Sequence, residues 1–183
     1  MERKEFKDAV SNGFDTYKDI IIKKIDGIKL TSFRSFHDKY MCLGDVITVV
    51  SGKNGTMKST LLGLIAHPFS SPNGAKDVFG KDLKTRHSDV FYLSPEKDSD
   101  QYLYYLRITT VDGITFEEPI RVYKRLNPNG QYRHRLTVGK DNKEGRGNFS
   151  LNTSFINLNR LIPIVCTQAQ IVKEEVEKNY RNL

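Results

Sequence analysis

The chain has little cysteine and no long apolar run, and each shortage removes a class of protein. Its two cysteines, Cys42 and Cys166, lie far apart in unrelated surroundings, so neither a disulfide framework nor a zinc site is indicated. No apolar stretch approaches the roughly 20 residues that span a bilayer, and no membrane is expected as a partner. The opening residues Met1, Glu2, Arg3, Lys4 and Glu5 are too charged for a secretory leader. The expected compartment is cytoplasmic. His37, His67, His87 and His134 stand isolated from one another, and no Cys/His catalytic set can be assembled from them. No internal repeat is visible.

At 183 residues, 38% of them hydrophobic and 28% charged, the composition is that of one globular domain or lobe able to bury a core. The net charge of +7 is unevenly placed. Residues 121–148 hold Arg121, Lys124, Arg125, Arg133, Arg135, Lys140, Lys143 and Arg146 against Asp141 and Glu144, a surplus of +6. Two readings fit this segment: an anionic partner such as nucleic acid, or a solvated hairpin face.

The most informative stretch runs from residue 46 to 65. Val46, Ile47, Thr48, Val49 and Val50 read as a buried strand. A turn containing Gly52 and Gly55 follows, then Lys58, Ser59 and Thr60, and then Leu61, Leu62, Leu64 and Ile65 at helical spacing. Strand, glycine turn, Lys-Ser and helix are the context of a phosphate-binding P-loop. Glycines let backbone N–H groups of residues 53–59 approach phosphate oxygens, and the helix N-terminus aims its dipole at the same anion. Lys58 would reach the β- and γ-phosphates and the Ser59 hydroxyl would sit on Mg²⁺. One position departs: G-x-x-x-x-G-K-[ST] asks for glycine before the lysine, and the chain has Met57.

Before this stretch, residues 2–18 read as a short amphipathic helix interrupted by Gly13. Ile28, Leu30 and Ser32 alternate with Lys29 and Thr31 as a strand. Residues 37–39 and 43–45 are turn-like. After it, Pro68 ends the helix, residues 70–87 read as loop, and residues 89–93 as a short strand. Asp112-Gly113 between residues 101–110 and 114–123 is a hairpin signal, with residues 132–138 as a third strand. Residues 89–138 therefore read as an antiparallel sheet, in which Pro119 marks a bulge or an edge. Residues 139–154 read as loop, Pro163 argues against a helix through residues 155–165, and a helix is expected over residues 168–182.

Ile28 to Phe36, with Phe33, Arg34, Ser35 and Phe36 at its end, the run 46–50, and the turn from Gly52 through Lys53, Asn54, Gly55, Thr56, Met57, Lys58 and Ser59 to Thr60 resemble the start of ABC-type ATPases of the SMC/RecF-like class. In that class an F-R-S-F-like segment precedes a Walker A of the form G-x-N-G-x-G-K-S-T. Phe155 to Ile164 is similar to a Y-L-x-L-S-R-L-x-P stretch of a bacterial subgroup often encoded in anti-phage defence systems. The resemblance covers roughly residues 25–165.

It implies an α/β fold: a P-loop NTPase of the ABC/SMC-like N-terminal-lobe type with an inserted antiparallel β subdomain. Residues 1–183 would form a single ATP-binding lobe, with a P-loop core over 20–69, the β subdomain over 89–138, and a helix over 167–183 leading toward a C-terminal lobe. ATP and Mg²⁺ are the implied cofactors. Gly52, Lys53, Asn54, Gly55, Thr56, Met57, Lys58, Ser59 and Thr60 would hold the nucleotide, Arg34 would touch its phosphates or base, and Gln168 or Gln170 would help Ser59 hold the metal. For Arg34 the plain alternative is a surface strand residue. No signature motif of the L-S-G-G-Q kind and no apolar strand ending in Asp-Glu is present, so ATP hydrolysis is expected only with a lobe that supplies them. The implied partners are a second copy in a head-to-tail ABC-type dimer, nucleic acid through residues 121–148, and a nuclease or other effector. A non-hydrolysing nucleotide-sensing or scaffold module is the alternative, carried by Met57 and the missing Walker B. A small-molecule P-loop kinase fits less well, because strands precede the P-loop and no lid-like arginine cluster follows it.

Overall fold

Alternating apolar residues ahead of the glycine turn and after it build one sheet. The structure, a computed structural model, describes residues 6–17, 19–70, 74–76, 80, 85, 93–94, 98–139, 149–151 and 153. Strand β1 (Ile22–Phe33) folds back into β2 (Phe36–Cys42). Helix α1 (Lys58–Ala66) and the short strand β3 (Phe69–Ser70) follow. Strands β4 (Gln101–Thr110), β5 (Thr115–Leu126) and β6 (Tyr132–Val138) come next, then β7 (Phe149–Ser150). The main sheet has the order β2-β1-β4-β5-β6, and every neighbour pair is antiparallel. The strands on either side of the glycine turn are thus continuous through the β1–β4 ladder. β3 and β7 form a separate parallel pair.

One face of the sheet is the core. Tyr102, Tyr104, Leu106 and Ile108 of β4 are buried while the residues between them are half-buried; that is the period of two expected of a sheet covered on one side. Ile28 and Leu30 of β1 join them, as do Phe116, Ile120 and Val122 of β5. α1 covers this face with Leu61 and Leu64, and the buried Tyr104 hydroxyl donates to the Leu64 carbonyl at 3.0 Å. Farther along, Tyr17, Phe69, Phe116 and Phe149 pack as a ring cluster with centroids 4.9–6.2 Å apart.

The β4–β5 hairpin turns at Asp112 and Gly113, whose φ of 79° is a left-handed value that glycine adopts freely. Pro119 lies beside the end of β6. Its carbonyl accepts from Gly139 N–H at 2.8 Å, just past the last β5–β6 pair, Ile120 with Val138. Its missing N–H thus falls at a local edge.

Several expectations are corrected. The run 46–50 is not a buried strand: Val46, Ile47 and Val49 are 91%, 77% and 84% exposed and belong to no strand. Strand preference reflects packing on a pleated, half-buried surface, and among the described residues no strand lies alongside. The chain leaves β2 through a tight loop instead, in which Thr48 Oγ1 accepts from Gly44 N–H at 2.8 Å. The turn assigned to residues 37–39 lies inside β2, and the reversal is at Arg34 and Ser35, between the paired Phe33 and Phe36. A two-residue connection needs positive φ, and Arg34 supplies it at 52°. The charged residues taken as a turn belong to an edge strand, where charge discourages further pairing.

The leader is no helix over its described part. It makes one 3-10 turn, Val10–Asn12, stopped by Gly13 at φ 88°. The reason is tertiary: the buried Glu118 carboxylate accepts from Ala9 N–H at 2.8 Å and from the Tyr17 hydroxyl at 2.6 Å, pinning both ends. Part of the loop expected over 139–154 is strand β7, because Phe149 is wholly buried in the ring cluster. The strand at 89–92 and the readings over 155–182 lie outside the described residues. Among the described residues no helix is long and apolar enough to cross a membrane.

Candidate functional site

The glycine turn and the start of α1 form one exposed loop. Residues 51–56 are exposed, Met57, Lys58 and Thr60 are half-buried, and Ser59 is exposed. Gly55 has φ 81° and Met57 φ 60°, ψ 25°. Met57 therefore stands in left-handed backbone, which costs a non-glycine residue about 1–2 kcal/mol. The loop has the backbone shape that glycine would favour at this position, with a methionine side chain added. That side chain packs against the core and its sulfur accepts from the Ser35 hydroxyl at 3.4 Å.

Lys58 closes the loop. Its ammonium donates to the carbonyls of Gly52 at 2.7 Å and Lys53 at 2.6 Å, and to Thr56 Oγ1 at 3.4 Å. A β-carbon on Gly52 would meet Thr56 Oγ1 at 3.0 Å and Lys58 Cδ at 3.8 Å, so a side chain there would crowd Thr56. The N-terminus of α1 has no side-chain cap and no acidic residue in its first turn. An uncapped helix start beside a fixed ammonium favours an anion through both dipole and charge.

Arg34 sits next to this loop, at the β1–β2 turn whose Ser35 touches Met57. Its Nε donates to Asp98 Oδ1 at 3.0 Å and its Nη2 to Asp98 Oδ2 at 3.4 Å. Asp98 also accepts from Ser94 N–H at 2.7 Å and the Tyr102 hydroxyl at 2.8 Å. Burial works to raise the Asp98 carboxyl, but the donors from Arg34, Tyr102 and Ser94 outweigh it and hold the group below the usual carboxylate value. Phe33 packs on Tyr102 with centroids 4.6 Å apart. Arg34 and Met57 are two of the three non-glycine residues with positive φ among the described residues, and both lie here. Such strain persists only where surrounding contacts over-determine it.

Gly52, Lys53, Asn54, Gly55, Thr56, Met57, Lys58, Ser59 and Thr60 thus form one loop and helix start, with Arg34 beside them. Gln168 and Gln170 lie outside the described residues. Among the described residues no group of three or more His, Cys, Asp or Glu could hold a metal on its own. Asp98 belongs to no motif visible in the sequence. Its partner Arg34 is 64 positions away, and no local signal links them.

Of the basic segment, Arg121, Lys124, Arg125 and Arg135 lie on β5 and β6. Lys124 contacts Asp100 at 3.2 Å and lies over the Tyr132 ring. Lys140, Lys143 and Arg146 lie outside the described residues.

No protein-family model matches the chain, and no curated protein matches it.

Proposed function

We propose that the chain binds Mg·ATP through residues 52–60, as the ATP-binding part of an ABC/SMC-like P-loop ATPase. The observation that carries this reading is Lys58: its ammonium is drawn onto the carbonyls of Gly52 and Lys53 while Met57 takes left-handed backbone. Lysine, glycine turn and helix N-terminus are then gathered in one exposed loop, the combination of groups that binds a polyphosphate.

The residues present fit such a group. Lys58 would neutralise phosphate charge, and backbone N–H groups of residues 53–59 would donate to phosphate oxygens. The Ser59 hydroxyl would ligate Mg²⁺, which takes few protein ligands when phosphates and water supply the rest. Arg34, released in part from Asp98, would add a second cation. When bound, the nucleotide supplies a transferable phosphoryl group; hydrolysis would require Walker B and signature elements from a further lobe. Dimerisation around nucleotide, control of nucleic-acid engagement or of a partner effector such as a nuclease, a place in anti-phage defence and a cytoplasmic setting complete the proposal by analogy with the resembled class.

Calorimetric titration of the chain with ATP and Mg²⁺, beside Lys58→Ala, tests it. Binding in the wild type that is lost in the variant is the expected result. Equal affinity in both would overturn the assignment of Lys58. A second reading, a module that binds nucleotide without turnover, is favoured by the Met57 side chain in the phosphate loop. It predicts tight ATP binding and no phosphate release by the complete protein.

A further inference from the structure

The face of the main sheet that points away from α1 carries aromatic rings and cations in alternation. Tyr40, Lys29 and Tyr105 stand side by side on β2, β1 and β4, since Lys29 pairs with both tyrosines in register. Arg121 follows on β5 opposite Leu103, and Tyr123 lies between Gln101 and Arg135. Lys29, Tyr105, Arg121, Tyr123 and Arg135 are half-buried, while their strand neighbours Leu30, Tyr104, Ile120, Val122 and His134 are buried in the opposite face.

Charge is sorted along this face. Toward the Asp112 turn, Arg107 binds Glu117 and Lys24 binds Asp26, so that end is balanced. From Tyr105 toward Arg125, the outward positions of β4, β5 and β6 hold no carboxylate among the described residues. The Lys29 ammonium already lies 5.3 Å from the Tyr105 ring centre, so ring and cation share the surface.

From this arrangement we infer that the outer sheet face binds single-stranded nucleic acid, with Tyr105 and Tyr123 as stacking platforms and Lys29, Arg121 and Arg135 on phosphates. Tyr123 pairs with Gln101, four residues along β4 from Tyr105, so the two rings are offset by about 13 Å along the strands, roughly two nucleotide steps of an extended strand, with Arg121 at the level between them. An acidic peptide would use the cations and leave the rings idle. A duplex keeps its base faces inside its own stack, so the rings would find no partner. The inference deepens the nucleic-acid part of the proposed function and does not depend on ATP. It moves that part from a charge-rich segment to a face that includes Lys29 and Tyr105, which lie outside the segment.

The test is fluorescence anisotropy of the full chain without nucleotide, using a labelled deoxythymidine strand of about 20 nucleotides and a duplex of equal length. The single strand is expected to bind more tightly, with affinity falling as salt rises. Tyr105→Ala with Tyr123→Ala should weaken binding about ten-fold per ring, and Tyr105→Phe with Tyr123→Phe should retain it. Should the alanine pair lower the melting temperature, Arg121→Gln with Arg135→Gln reads the same face with every ring intact. It is expected to reduce the salt slope by about 1.4. Tighter duplex binding, an unchanged slope in the glutamine pair, or displacement by polyglutamate at equal charge would each overturn the proposal. A chain that binds ATP but no oligonucleotide loses this face and keeps its P-loop; the reverse result removes the P-loop and keeps the face.

Discussion

Arg34 and Asp98, 64 positions apart in the chain, meet beside the glycine turn with Nε 3.0 Å from Oδ1. Arg34 caps the β1–β2 turn, and Asp98 precedes β4, the strand that pairs with β1. The bridge therefore ties the β1–β2 turn to the segment that leads into β4.

Replacing Asp98 by asparagine removes the charge on which Arg34, Tyr102 and Ser94 converge. The expected loss is about 1–3 kcal/mol at pH 7. Because Asp98 is held below its ordinary value in the fold, its contribution is present above the unfolded carboxyl value of about 3.9. That contribution is lost as pH falls through the folded value. Urea melts of both proteins at pH 7 and near pH 3 should show the gap shrinking at low pH. A constant gap would mean that the charge is not its source.

Met57 tests the loop geometry. Met57→Gly and Met57→Ala discard the same side-chain contacts and differ mainly in how they tolerate φ 60°. The glycine variant should be the more stable by on the order of 1 kcal/mol, the reverse of their order inside a helix. Thermal melts of the pair decide it, and alanine above glycine would remove the left-handed assignment.

The N-terminal segment is held through Glu118, wholly buried between Ala9 N–H and the Tyr17 hydroxyl. Tyr17→Phe should cost about 1–3 kcal/mol by leaving the carboxylate short of a donor. Hydrogen exchange should quicken at Ala9 while β4 and β5 keep their protection. Uniform acceleration throughout the sheet would argue against a local latch.

Ile47 separates sequence preference from structure. At 77% exposure and outside any strand, Ile47→Asp should change stability by no more than about 0.5 kcal/mol. A buried central strand would instead lose several times that amount, which a denaturant melt distinguishes readily.

Alkaline stability reports on Tyr104. Burial pushes its phenol well above the ordinary value near 10, and burial also raises Tyr102. A raised folded value means that stability is complete below the unfolded value and declines as pH climbs toward the folded one. Tyr104→Phe loses the bond to the Leu64 carbonyl, about 1 kcal/mol at neutral pH, and should flatten the decline between pH 9 and about 11. Parallel profiles for the two proteins would rule Tyr104 out as its cause.

Local chemistry determined much of this protein from the sequence alone. Alternation placed β1, β4, β5 and β6, Asp112-Gly113 placed the hairpin, and Pro68 closed α1, because each depends on neighbours a few residues away. The run from Gly52 to Thr60 was legible as a loop entering a helix for the same reason. Only the tertiary structure decided which segments found partners. Residues 46–50 have strand-forming side chains but no described strand beside them, whereas the charged residues 37–39 pair as β2 because β1 offers an edge. Glu118 turns a helix-like leader into a strap, and Asp98 reaches Arg34 across 64 positions. Those contacts arise from the approach of distant backbones, and sequence periodicity carries no record of the distance between them.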